Sequence, residues 1–174
     1  MTAHLVRVAV LLLALPATAQ QLWQQGQDAL RDGRTDEAIR AFEQSLALDP
    51  NLVNDHLSLA AAYLDRGDDE HAGPHLAAYL AARPRHVEVR AEYAELLLRG
   101  RDPAAARFQY ERVDADAQEQ EGLDADELVH CHSRLMQIAE MEDDDYAAHL
   151  HRGIGLYLLA RRQAQLPEEE QSFA

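Results

Sequence analysis

Lysine is absent from this chain: all sixteen basic residues are arginines, set against thirty-one carboxylates for a formal net charge of −15. Such a surface repels phosphate backbones and anionic headgroups, which argues against nucleic-acid binding and against adsorption to a membrane surface. Cysteine occurs once, at Cys131, so no internal disulfide can form and packing alone must hold the fold. Serine is scarce. Ser45, Ser58, Ser133 and Ser172 are the only ones, and none stands in the Gly-x-Ser-x-Gly turn that exposes a hydrolase nucleophile. No glycine-rich phosphate loop follows a strand, and no stretch has the alternation of a strand. With the parts of an active site missing, the expectation is a protein that is not an enzyme and needs no cofactor. Long apolar runs are missing as well. Val8–Leu15, broken by Pro16, is too short for a bilayer, which takes about 20 apolar residues as a helix.

What is present begins with a leader. Arg7 precedes that short apolar run, and Ala17-Thr18-Ala19 follows it, the order of a secretory signal with small residues at its cleavage site. Residues 1–19 are therefore expected to be a signal peptide cleaved after Ala19. The mature chain then starts at Gln20 in the periplasm or another extracytoplasmic space, with no membrane contact after cleavage. No cysteine sits at the cleavage site, so a lipid anchor is not expected. The remaining length suits one domain.

Within it a period of 34 residues recurs. Gly26, Ala60 and Ala94 are all small; Ala38, Ala72 and Ala106 are all alanine. Phe42, Leu76 and Tyr110 form a large apolar column, and Ala29, Tyr63 and Leu97 another. Leu22 gives way to His56 and Arg90 in later copies, and Pro50 and Pro84 give way to Gln118. Two helices packed antiparallel explain the columns. Small residues let the axes approach, a large residue fills the space beside them, and proline ends the second helix. Thr35-Asp36-Glu37, Asp68-Asp69-Glu70 and Asp102-Pro103 supply caps and first-turn carboxylates for the second helices. Gly33, Gly67 and Gly100 fall in turns that want a left-handed residue. Gly73-Pro74 conflicts with its place early in a helix, which should start late or kink there.

This pattern resembles the tetratricopeptide repeat family over roughly residues 20–118, most closely in QLWQQGQDALRDGRTDEAIRAFEQSLALDPN. The resemblance implies an all-α fold, a right-handed α-solenoid of antiparallel helix pairs with about eight helices. Its units would be 20–50, 53–84 and 87–118. After an acidic stretch from Asp114 to Gly122 the register is lost, and 119–166 reads as a diverged fourth pair that caps the solenoid. There Asp124 and Glu127 look like a capping box, Leu128, Cys131, Leu135 and Ile138 stripe one helix, and Tyr146, Leu150, Ile154, Tyr157 and Leu158 stripe the next. Cys131 is read as a small core residue. The tail, 167–174, is expected to be disordered.

The resemblance further implies an exported scaffold that binds another protein or a peptide on a concave face lined by the first helices, an accessory factor of a bacterial envelope process. The residues expected to line that face are Trp23, Gln27, Leu30 and Arg31, then Asn54, Leu57, Ala61 and Asp65, then Glu88, Ala91, Glu95 and Arg99. Trp23, the single tryptophan, is the expected anchor or else a packing residue. Some family members grip a C-terminal carboxylate with lysines. This chain has none and carries Glu88, Glu92 and Glu95 instead, so its groove should prefer a basic or neutral-polar segment. Such a protein is expected to be a monomer or to self-associate weakly through an uncapped end. The alternative is a small-ligand or metal-binding protein using the C-terminal histidines. Antiparallel pairing sets His132 opposite His151, near His130, Cys131 and His149. The spacing opposes a full ligand set, because His-Cys-His and His-x-His spread neighbours around a helix where a shared site wants i, i+3 or i, i+4.

Overall fold

Side chains that accept backbone N–H groups mark where the helices start. Thr18 and Gln21 form a reciprocal capping box at the first helix, Asp68 accepts from the His71 N–H, Asp102 from Ala105 and Asp144 from Ala147. Each satisfies a donor that has no partner within its own helix. The structure, a computed structural model, describes residues 17–119 and 125–165. Most of the expected leader, the cap Asp124 and the expected tail lie outside those residues.

The described residues form eight helices and no strand: α1 (Ala19–Arg31), α2 (Thr35–Leu48), α3 (Val53–Asp65), α4 (Asp69–Ala82), α5 (Val87–Arg99), α6 (Pro103–Glu119), α7 (Ala125–Met141) and α8 (Asp145–Gln165). Each helix packs on the next in the chain, and the tight antiparallel pairs are α1–α2, α3–α4, α5–α6 and α7–α8. The product is an α-solenoid of the tetratricopeptide type.

Every repeat column serves the crossing it was read for. Ala38, Ala72 and Ala106 are fully buried, as are Ala60, Ala94, Phe42, Leu76 and Tyr110. Gly26 shows why the first copy tolerates nothing larger: a Cβ there would stand 2.4 Å from Cε1 of Phe42. One core joins α1 to α4 and reaches Val89 and Leu96 of α5, and a second runs from Val87 and Ala94 through Tyr110 and Val113 to Cys131, Leu135 and Ile138. α5 thus stitches the two together.

Several local expectations are revised. Thr35 does not cap α2. Arg34 holds the cap position without a side-chain bond, and the Thr35 hydroxyl donates to Asp65 across the unit boundary, 2.6 Å. Asp36 and Glu37 still meet the positive end of the helix. α4 neither starts late nor breaks at Pro74, but runs from Asp69 with the proline inside it. Gly33 and Gly67 have the left-handed φ expected of them, +72° and +78°, whereas Gly100 lies at −70° and Arg101 takes φ +62°. The 34-residue step lands on Arg101, so the backbone kept the period and the glycine sits one place early.

The same marker recovers the fourth unit. Asp143 has φ +57° and follows Arg101 by 42 residues, eight more than the repeat step. The extra residues are taken up by α6, with 17 residues against 14 in α2 and α4, by α7, with 17 against 13 in α3 and α5, and by one more in the segment between them. With that offset Ala148 takes the place of Ala38, Ala72 and Ala106 and is buried. The register is displaced rather than lost. The stripe read on α8 is revised with it. Ala148, His151 and Leu158 face inward, while Tyr146, Leu150 and Tyr157 are exposed.

Candidate functional site

The first helix of each pair lies beside the first helix of the next, and polar side chains tie them together. On α3, Ser58 Oγ accepts from Trp23 Nε1 at 3.3 Å and from Gln27 Nε2 at 2.9 Å, both on α1. On α5, Glu95 Oε1 accepts from Arg134 Nη2 of α7 at 2.8 Å, and its Oε2 accepts from the Tyr110 hydroxyl at 2.7 Å. That hydroxyl is a weaker acid than a free tyrosine because it is buried and bonded to a carboxylate. Leu64, Ala91, Glu92, Glu95, Arg99 and His130 line a depression of about 440 Å³ across α3, α5 and α7.

The residues expected to line the concave face divide into three sets. Trp23, Leu30 and Leu57 are half-buried against the core, and Trp23 and Gln27 reach Ser58 of α3. Trp23 is thus both a packing residue and an accessible one. It also borders a second depression, of about 330 Å³, with Gln20, Leu52 and Asn54. Ala91, Glu95 and Arg99 line the 440 Å³ depression, with Ala61 exposed one repeat before Glu95. The charged helix ends turn toward the solenoid edge. Arg31 pairs with Asp28, Asp65 accepts from Thr35, and Arg99 makes two bonds of 2.8 Å to Asp69. Glu88 sits near His86 Nε2, 3.4 Å away, beside a 650 Å³ depression at the α4–α5 turn. Ser58, His130 and Arg134 were not expected on this face, and Glu92 was expected only as part of its acidic character. Ser58 and Glu92 are one repeat apart, next to the Leu57 and Ala91 positions, and a wider arc of the helix would have included them.

His132 and His151 do meet, with Nδ1 atoms 3.1 Å apart and rings stacked at 5.4 Å. His132 is buried, and its Nε2 lies 3.3 Å from Asp114. His149 turns away to the carbonyl of Asp145, and His130 faces Glu95. Among the described residues no group of three or more histidine, cysteine or acidic side chains is placed to hold a metal. The Cys131 thiol donates to the Tyr110 carbonyl, and burial pushes its pKa up to about 12, which disfavours the thiolate. His56 and His75 repeat the pairing in the second unit, Nδ1 to Nδ1 at 2.9 Å. Burial, and secondarily the facing imidazole, lowers the pKa of His75 and of His151.

No protein-family model matches the chain, and no curated protein matches it either. Solved structures match it in fold. MamA from Desulfovibrio magneticus RS-1 is 19% identical with a TM-score of 0.66, the match covering 86% of this chain and 78% of that one. The type III secretion chaperone SycD of Yersinia enterocolitica, solved with a peptide of the translocator YopD, is 18% identical with a TM-score of 0.59, covering 71% and 93%. The first tetratricopeptide domain of Spaghetti (RPAP3), bound to the HSP90 peptide SRMEEVD, is 18% identical with a TM-score of 0.56, covering 72% and 94%. The fold is that of a tetratricopeptide-type solenoid. Among the described residues no helix is long and apolar enough to cross a membrane.

Proposed function

We propose that this protein is an exported interaction scaffold that holds a segment of another protein against its inner face. It would act as an accessory factor of a bacterial envelope process, and it carries out no chemistry of its own. The observation that carries the reading is the depression spanning α3, α5 and α7, with Glu92 and Glu95 at an apolar floor of Leu64 and Ala91. The exposed Glu92 carboxylate suits a basic side chain, Glu95 being already bonded to Arg134 and Tyr110, and the neighbouring apolar residues suit an aliphatic one. Two of the fold's structural neighbours were solved with bound peptides, which supports the class of ligand. The leader supports the place, since a signal of that order sends a chain across the inner membrane.

Cross-linking and pull-down from envelope extracts, with the wild type beside Trp23→Ala and Glu92→Arg, tests the reading. A partner captured by the wild type should be depleted with either variant. Equal capture by all three would place binding elsewhere. Capture only from cytosolic extracts would remove the envelope assignment.

A further inference from the structure

α8 is apolar on two opposite sides. Its inner stripe packs on α7, while Tyr146, Leu150, Gly153, Tyr157, Ala160 and Ala164 are all exposed. These six are spaced 4, 3, 4, 3 and 4 residues apart. That is the repeat of a coiled-coil seam, not of a solvated helix face. Tyr146 is 81% exposed and Tyr157 64%. Convex faces earlier in the solenoid carry charge at matching positions, Asp36 and Arg40 in the first unit, and among the described helices α8 alone presents an uninterrupted apolar line.

We propose that this seam is an interface between two copies of the chain, joined antiparallel along α8 about a twofold axis near Gly155. The order of residue sizes selects both partner and direction. Reversing the seam against itself sets Tyr146 opposite Ala164, Leu150 opposite Ala160 and Tyr157 opposite Gly153, so every layer places a large residue against a small one. Facing positions that alternate in this way interdigitate without voids. A parallel pairing sets tyrosine on tyrosine and glycine on glycine, which both crowds and empties the seam. At Gly153 a Cβ would meet nothing within 4 Å, so its small size is not required by the chain's own packing.

Charge agrees. In a chain of net charge −15, α8 has one acid, Asp145, and three arginines. The antiparallel pairing brings Asp145, in the acidic turn of one copy, to about one helical turn from the exposed Arg161 of the other, twice over. It also opposes the two helix dipoles. A contact that uses one surface on both partners closes as a dimer and leaves the inner face of each solenoid free.

Sedimentation velocity of the full chain from low to high micromolar concentration reads the association. The expected result is a doubling of mass in the wild type and a monomer throughout for Gly153→Glu, with unchanged helical circular dichroism. That substitution favours the helix, so loss of the dimer cannot be put down to misfolding. Direction is read by mixing Gly153→Cys and Tyr157→Cys chains under mild oxidation, which should give a disulfide-linked heterodimer in excess of either homodimer. A wild type that stays monomeric, a Gly153→Glu chain that still dimerises, or cross-linking chiefly between like variants would overturn the proposal. So would a full-length monomer that dimerises only when the chain is ended at residue 165, since the tail would then be the occupant of the seam.

Discussion

At one position in the helix crossing, successive units use different chemistry. Leu22, His56, Arg90 and His132 occupy equivalent places on the first helices, and Ala41, His75, Gln109 and His151 face them on the second. The third unit is the most demanding. Arg90 is buried, donates to Gln109 at 2.7 Å and to the Pro84 carbonyl, and sits 3.6 Å from the buried Asp116. Removing one partner of a buried pair leaves the other charge uncompensated. Asp116→Ala should therefore cost about 3 kcal/mol of unfolding free energy, and Arg90→Leu added to it should recover most of that loss. Urea denaturation of both variants reads the difference. The histidine pairs give a pH dependence of known sign. His75 and His151 titrate below the ordinary imidazole range, chiefly because they are buried. The folded state binds fewer protons than the unfolded one there, so this stability is complete above the unfolded pKa and is lost as pH falls through the folded one. His151→Gln should accordingly lower the melting temperature less between pH ~7 and pH ~5 than the wild-type residue does. The meeting of His132 with His151 was legible in the sequence from the turn alone. That of His56 with His75 was not, because the column that begins with Leu22 gives no sign of a polar partner opposite.

At the scale of the helix, period was a better guide than residue type. The glycine of the third turn misses the left-handed position by one, yet Arg101 accepts it because the surrounding packing fixes where the turn falls. Pro74 was expected to disturb α4, but it lies inside a helix whose cap at Asp68 and buried face at Ala72, Leu76 and Tyr79 are undisturbed. Tertiary burial outweighs the local cost. The stripe on α8 was misjudged for a related reason: two apolar faces on one helix cannot be ranked from sequence, and the exposed one carried the larger side chains. Where helices cross, the tolerance is smaller than a methyl group. Gly26→Ala adds a Cβ in the space of the fully buried Phe42 ring. Its gain in helix propensity, about 1 kcal/mol, should be outweighed by overpacking, which costs about 1–3 kcal/mol. A lower urea midpoint with an unchanged slope is the expected outcome.

For the whole molecule, the four pairs are one repeat architecture with an eight-residue offset before the last. The final second helix carries both Arg152 and the exposed Leu156 and Leu159 on one side. Arg152 stands where Phe42, Leu76 and Tyr110 are buried, and it pairs with Glu140 at the surface. The inner face is the surface proposed to bind. On that face the sequence was informative about position and much less so about state. Trp23, Gln27 and Glu95 lie on the expected helices, but their polar atoms are already engaged with Ser58, Arg134 and Tyr110. Cross-helix bonds of that kind depend on neighbours some thirty residues away, and a repeat pattern does not encode them. The acidic depression at Glu92 and Glu95 can be tested without knowing the natural partner. Selection of random extended peptides on the purified chain, followed by titration of the winners against salt and against Glu92→Arg, reads the inner face directly. A basic segment held there predicts enrichment of arginine and lysine, weaker binding as salt rises, and roughly a tenfold or greater loss with the reversed charge. Peptides with no basic preference, whose affinity survives both salt and Glu92→Arg, would contradict it.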